Sequence, residues 1–427
     1  MKKSFKKVLC IVLSIAMIVC CLSIGVSAAE PNRNNYTFVF VHGLCGWGSD
    51  DGANEYFPYW GMMTGNLFTE LERKGYKCVA AGVGTVSSAW DRACELYAQL
   101  AGGVVDYGAA HSAKHNHARY GRTYSKPIID KWDTENKINL IGHSFGGVTV
   151  RLLVQLLGEG SAEERAVTPK NELSPLFKGG QADKVYSVTT MAAPHNGTSF
   201  FEATGGLSKT LSKVFCSLAA LSGSTKLNKF FDPMLDQFGL SYLPGSGSGV
   251  KCDLGKLRAF INSKDNAFYD LTIDGSAQIN ETIHTQPGVY YYSYAGTKTY
   301  QSRWTGNHVP VFGINVLMFP YAFAIGKYTG VTAGGRVIDE RWLENDGLVN
   351  TISARAPFNE PSKVYYAGEK IEPGIWYIMP IQNMDHLEFS GGMLNISWSR
   401  IRNFYLNHLS LVTSAVSYTH LRAHETS

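Results

Sequence analysis

The chain has 427 residues, 44% of them hydrophobic and 17% charged, with 39 Lys and Arg against 35 Asp and Glu. Three of the eight cysteines lie within the first 21 residues, and the five that remain over roughly 400 residues exclude a disulfide scaffold. Four lysines near the start account for the whole net charge of +4, so the remainder is neutral and offers nucleic acid no global field.

Lys2, Lys3, Lys6 and Lys7 precede an apolar run over 8–26, which ends in the small-residue pattern Val26-Ser27-Ala28. This layout predicts a secretory signal peptide over 1–28, cleaved before Ala29, in preference to a retained anchor. The expected product is secreted and extracellular, with no stable membrane anchor. Of its five cysteines, Cys45, Cys78, Cys94, Cys216 and Cys252, the odd number implies at least one free thiol or an intermolecular bridge. At the far end, 416–427 has no hydrophobic period and reads as a non-native, adapter-derived tail. That leaves one domain over 29–411.

Short β-branched or aromatic runs punctuate this domain: Tyr36–Val41, Lys77–Ala81, Ile138–Ile141, Val185–Thr190, Val289–Tyr294 and Gly374–Met379. The spacers are long enough for crossover helices, which predicts an α/β fold with a mostly parallel sheet between helices. Two spacers, 81–137 and 195–288, exceed a simple crossover and read as functional insertions. In the second, Leu207, Leu211, Val214, Phe215, Leu218 and Leu221 recur at helical spacing. Gly205-Gly206 and Gly223 flank them as hinges, which predicts a helical lid that opens at a lipid surface.

Gly142-His143-Ser144-Phe145-Gly146 is a G-x-S-x-G pentapeptide, a weak signal alone. Its context strengthens it: the strand Ile138–Ile141 leads in, and Gly147–Leu157 leads out as a helix. A strand, a sharp turn and a helix make a nucleophile elbow, with Ser144 at the positive end of the helix. The loop Val41-His42-Gly43-Leu44 follows the first strand, so the N–H groups of Leu44 and Phe145 are the expected oxyanion hole.

A serine nucleophile needs a histidine oriented by a carboxylate, in the chain order Ser, acid, His. His195, His284, His308, His386 and His408 lie beyond Ser144. His386 follows the last strand-like run and is preferred. His195 leaves no room for the acid, and His408 reads as a surface helix residue. Among carboxylates, Asp346 in a polar Asp-Gly turn competes with Asp339 and Asp385, and order alone does not choose between them.

Several longer stretches carry a resemblance. Trp90-Asp91-Arg92-Ala93-Cys94-Glu95, 105–111, 115–119, 341–347 and 385–388 are similar to the thermoalkalophilic lipases of Bacillus-type bacteria, from about Tyr36 to about Leu406. The resemblance implies the α/β-hydrolase fold, a Ser144–Asp346–His386 triad, and triacylglycerol at an oil–water interface as substrate. It also implies a structural zinc held by Asp91, His111, His117 and Asp236, a closed ligand set with no open position. It places calcium at Gly313 and Glu388. However, Met393-Leu394 stands where the family has Asp-Pro, which removes a hard oxygen ligand. The family also often has Ala at the position of Gly142 and Gln at that of Phe145. Two rivals are weighed against the esterase reading. A zinc hydrolase using His111, His115 and His117 lacks an H-E-x-x-H motif. An inert, lipid-binding hydrolase scaffold would leave Ser144 unreactive.

Overall fold

The computed structural model describes residues 34–206, 232–240, 254–392 and 395–414. The expected signal peptide, most of the lid helix and the suspect tail therefore lie outside the described residues, as do Met393 and Leu394. The chain divides into residues 35–409 and a small unit of its two ends, in which the Asn34 side chain donates to Val412 O.

Seven parallel strands build the central sheet: β1 (Thr37–Val41), β2 (Cys78–Ala81), β3 (Ile138–His143), β4 (Val185–Met191), β5 (Tyr290–Tyr294), β6 (Ser362–Val364) and β7 (Trp376–Ile378). Their spatial order is β6-β7-β5-β4-β3-β1-β2, and every pairing in it is parallel. Burial explains the near-continuous apolar runs: β3 and β4 are buried at every residue, as strands covered on both faces must be. Six of the seven strands coincide with runs read from the sequence. The seventh, β6, is three residues long and partly exposed at the sheet edge, so it carries no apolar run.

Helix α1 (Ala89–Ala101) and helix α3 (Phe145–Glu159) cover the sheet beside one another. Ser88 caps α1 by accepting from Asp91 N. Between them, helix α2 (Ala109–His115) and an antiparallel hairpin (Gly103–Asp106 with Tyr120–Tyr124) fill the first insertion.

The sheet order sets the position of the site. The chain runs from β1 to β2 on one side, then returns to β3 on the other side of β1. The carboxyl ends of β1 and β3 thus flank a topological switch point, where loops leave in opposite directions and open a crevice. Gly43 and Ser144 both lie there.

Candidate active site

Ser144 joins β3 to α3 with φ 55° and ψ −127°, a backbone conformation that costs an L-residue about 1–3 kcal/mol. The strain is held by two hydrogen bonds. Ser144 N–H donates to Met191 O at 2.8 Å, and Gly147 N–H donates to Ser144 O at 2.9 Å. Gly142 and Gly146 let the helix pass close. A Cβ on Gly142 would overlap the Gly146 carbonyl, and one on Gly146 would overlap Val41 O.

His386 reaches this turn from the loop after β7. Its Nε2 lies 2.8 Å from Ser144 Oγ, and its Nδ1 lies 2.9 Å from Asp346 Oδ2. Asp346 Oδ1 accepts from the N–H groups of Leu348 and Val349 at 3.0 and 2.8 Å, so both carboxylate oxygens are engaged and the side chain is fixed. His386 N–H also donates to Asp346 O at 2.9 Å, tying the two loops together. Asp346 and His386 are buried.

The competitors are occupied elsewhere. Asp339 pairs with Arg341 at the surface. Asp385 caps its own turn by accepting from Leu387 and Glu388 N–H. His195 is buried against Trp376 and bonds Thr190 Oγ1. His284 pairs with Glu360, and His308 lies beside Thr299. His408 does lie in the last helix (Trp398–Ser414), but the expectation of a surface position fails. It is buried between Thr189 Oγ1 (2.8 Å) and Tyr294 Oη (3.1 Å), and burial lowers its pKa to about 3.

Leu44 N–H has no partner among the described residues. Phe145 N–H opens α3, where no intrahelical carbonyl can reach it. Arg92 ties their two neighbourhoods together. Its buried guanidinium donates to His42 O, Gly84 O and Thr149 Oγ1 and stacks 5.0 Å over the Phe145 ring. Sequence reasoning had no signal for this role, because Arg92 follows a metal-ligand candidate and comes from a remote helix. Tyr59 and His143 were missed likewise. Tyr59 Oη accepts from Gly43 N–H at 2.9 Å and donates to His143 Nδ1 at 2.6 Å, while His143 Nε2 meets His386 O at 2.9 Å.

A cavity of about 490 Å³ opens on Ser144. Leu44, Trp47, Phe200, Phe201, Phe268 and Tyr321 are among its walls, and among the described residues its lining contains no Asp, Glu, Lys or Arg. It therefore suits an apolar, uncharged guest. Gly205 and Gly206, the first expected hinge, have φ 101° and 93°; the lid residues 207–231 and Gly223 lie outside the described residues. The described cysteines, Cys45, Cys78 and Cys94, are free. Among described residues no helix is long and apolar enough to cross a membrane.

A second cluster gathers Asp91, His111, His117 and Asp265, whose ligand atoms lie within 4.8 Å of one another. Asp91 Oδ1, His111 Nε2, His117 Nε2 and Asp265 Oδ2 are all buried without a hydrogen-bond partner. Four converging orphan atoms, two carboxylate oxygens and two imidazole nitrogens, fit a tetrahedral metal ion. Burial opposes charge on His111, but Asp265 and Asp91 outweigh it and lift its pKa to about 9.

The fourth expected ligand requires a correction. Asp236 turns to Arg122, which also pairs with Asp232 at 2.7 Å. Its neighbour Gln237 reaches the cluster instead, donating to Asp91 Oδ2 at 2.7 Å. Asp265 supplies the carboxylate from a turn just before the helix Ala267–Asp270, where nothing in the sequence marks a ligand. Either way the cluster ties the first insertion to the second. His115 lies beside His111 with ring centres 4.6 Å apart but is outside the four-residue set.

At the expected calcium position the Glu388 carboxylate is met by a lysine. Glu388 Oε2 is already engaged by Lys298 Nζ at 3.0 Å and Asp385 N–H at 2.7 Å. Gly313 contributes an open turn at φ 89°.

A family model described as "Lipase-like, C-terminal domain" matches residues 34–414. Lipase 1 of Staphylococcus aureus is 36% identical over 365 residues, 84% of this chain and 51% of that protein. Lipase 2 of the same species is 37% identical over 362 residues, 84% and 50%. The chain thus spans about half the length of these curated relatives. Among solved structures, EstA from Clostridium botulinum has TM-score 0.78 at 37% identity, covering 91% of this chain and 90% of that one. Staphylococcus hyicus lipase has 0.79 at 33%, covering 91% and 98%. Lipase 1 from Pelosinus fermentans has 0.72 at 38%, covering 89% and 99%.

Proposed function

We propose that this chain, which belongs to the lipase-like, C-terminal domain family, hydrolyses neutral carboxylic esters of the triacylglycerol class through an acyl-enzyme. The observation that carries the reading is the 2.8 Å contact between His386 Nε2 and Ser144 Oγ in an aromatic-walled cavity.

The steps follow from the geometry. Ser144 Oγ attacks the ester carbonyl carbon as its proton passes to His386 Nε2. Asp346 accepts from Nδ1–H throughout, which fixes the tautomer and stabilises the imidazolium. The carbonyl oxygen becomes an oxyanion facing Leu44 N–H and Phe145 N–H, and loss of one such donor typically costs about 3–4 kcal/mol in related chemistry. Collapse expels the alcohol, which takes the proton from Nε2 and leaves an acyl group on Ser144. Water, deprotonated by His386, repeats the sequence and releases the fatty acid.

The domain proposed for this work is 29–411, secreted after loss of 1–28, with the insertions at 81–137 and 195–288 and with 416–427 outside the functional chain. The four-residue cluster would hold zinc as a structural ion, since a closed N₂O₂ set leaves no coordination position for substrate or water.

Hydrolysis of emulsified tributyrin and triolein, followed by titration of released acid, tests the reading, with Ser144→Ala as control. The expected result is turnover of both by the wild-type chain and loss by about 10⁴-fold or more in the variant. Turnover limited to soluble short-chain esters would make the protein a carboxylesterase. Activity surviving in Ser144→Ala would overturn the mechanism.

A further inference from the structure

Lys298 is a buried cation with no place in the hydrolytic steps. It follows β5 and is 7% exposed. Its Nζ donates to Asn383 O at 3.0 Å and pairs with Glu388 Oε2 at 3.0 Å. These acceptors lie three residues before and two after His386. Its backbone faces the other way: Lys298 N–H donates to Asn345 O at 3.0 Å, the residue before Asp346. Thr299 adds a second link there, its Oγ1 accepting from Asn345 N–H at 3.2 Å.

The His386 turn has reason to need a cation. Asp385 and Glu388 put two buried carboxyl groups within four residues. The Asp385 carboxylate is satisfied by four donors, from Asn315, Leu387, Glu388 and Asn395. Glu388 Oε1 has no hydrogen-bond partner. Buried charge of one sign is tolerated only with a compensating ion and well-placed donors.

We propose that Lys298 is a positioning residue for ester hydrolysis, a built-in cation whose ammonium holds the turn carrying His386 against the turn carrying Asp346. It does so in place of a bound metal ion, which would have to supply the same charge between Glu388 and the Asn383 carbonyl. The proposal rests on the reading of Ser144, His386 and Asp346 as the hydrolytic groups. Its physical consequence does not: the Nδ1–H to Asp346 bond depends on how the two turns are held.

The test uses the full secreted chain and Lys298→Met, which keeps the stem and removes the charge. The kinetics should show kcat down about tenfold or more with KM within about twofold, since small misplacement of a catalytic group costs rate before binding. The proton NMR resonance of His386 Nδ1–H should shift or broaden in the same variant. Millimolar Ca²⁺ should raise the melting temperature of Lys298→Met and restore part of kcat, while leaving both unchanged in the wild-type chain. Lys298→Gln, which keeps a donor without the charge, serves if Lys298→Met does not fold, and should show the same kcat-selective loss and resonance change. Wild-type kcat and an unmoved resonance in the folded variants would overturn the proposal, as would a wild-type enzyme that needs Ca²⁺. A wild-type chain without esterase activity would defeat the functional reading instead, and the resonance would still report on the clamp.

Discussion

Tyr59 Oη and His143 Nδ1 lie 2.6 Å apart, and the direction of that hydrogen bond is forced from both ends. His143 Nε2 faces the carbonyl of His386 and must donate to it, so Nδ1 carries no proton and must accept. Tyr59 therefore donates its hydroxyl proton, and its oxygen accepts from Gly43 N–H. Burial, followed by the charge of His386, pushes the His143 pKa well below its ordinary value, in keeping with this neutral tautomer. One continuous chain of hydrogen bonds thus joins the proposed oxyanion loop to the backbone of the proposed base.

Tyr59→Phe breaks that chain in the middle and leaves Gly43 N–H and His143 Nδ1 buried without partners. Each orphaned group costs about 1–3 kcal/mol. The expected outcome is a lower melting temperature together with a kcat loss of about tenfold or more and little change in KM. Steady-state kinetics beside thermal denaturation check it. A variant with lowered stability but wild-type kcat would show that the relay only packs.

The metal cluster separates two aspartates that look alike in sequence. Asp265→Asn removes an orphaned ligand atom, whereas Asp236→Asn breaks only an ion pair with Arg122. The purified wild-type chain should carry one tightly bound zinc by elemental analysis. Asp265→Asn should lose most of it and Asp236→Asn should keep it. Chelation should lower the melting temperature while sparing activity measured at once in the cold, because a closed site stabilises the fold without touching substrate. Metal lost from Asp236→Asn and kept by Asp265→Asn would reverse the assignment.

Gly142→Ala tests the tightness of the turn. The resembling family often carries Ala there, yet in this chain the added Cβ would overlap the Gly146 carbonyl. We expect a loss of about 1–3 kcal/mol, the usual cost of overpacking, with kcat reduced because Ser144 moves with the turn. Chemical denaturation measures it. An unchanged unfolding midpoint would mean that the turn relaxes freely.

Much of this was legible in the residues, for identifiable reasons. Parallel strands covered on both faces are written as continuous apolar runs, so Tyr36–Val41 and Val185–Thr190 fall within a residue or two of β1 and β4. The turn at Ser144 needs glycines at fixed offsets, so it too leaves a local mark. What stayed hidden depends on tertiary approach. Asp265 is an ordinary aspartate in a short turn, and only folding brings it 3.2 Å from His117. Arg92, Tyr59 and Lys298 act on the site from remote segments, with no motif of their own. His408 shows the opposite error: a polar residue near the chain end reads as exposed, while its helix in fact presents it to Thr189 and Tyr294.

A fluorophosphonate probe reads whether Ser144 is a nucleophile activated by His386. Peptide mapping of the labelled protein should find one phosphonyl group, on Ser144, with esterase activity falling in step with labelling and His386→Ala abolishing both. Label on another residue, or full hydrolysis persisting with Ser144 modified, would rule out Ser144 as the nucleophile.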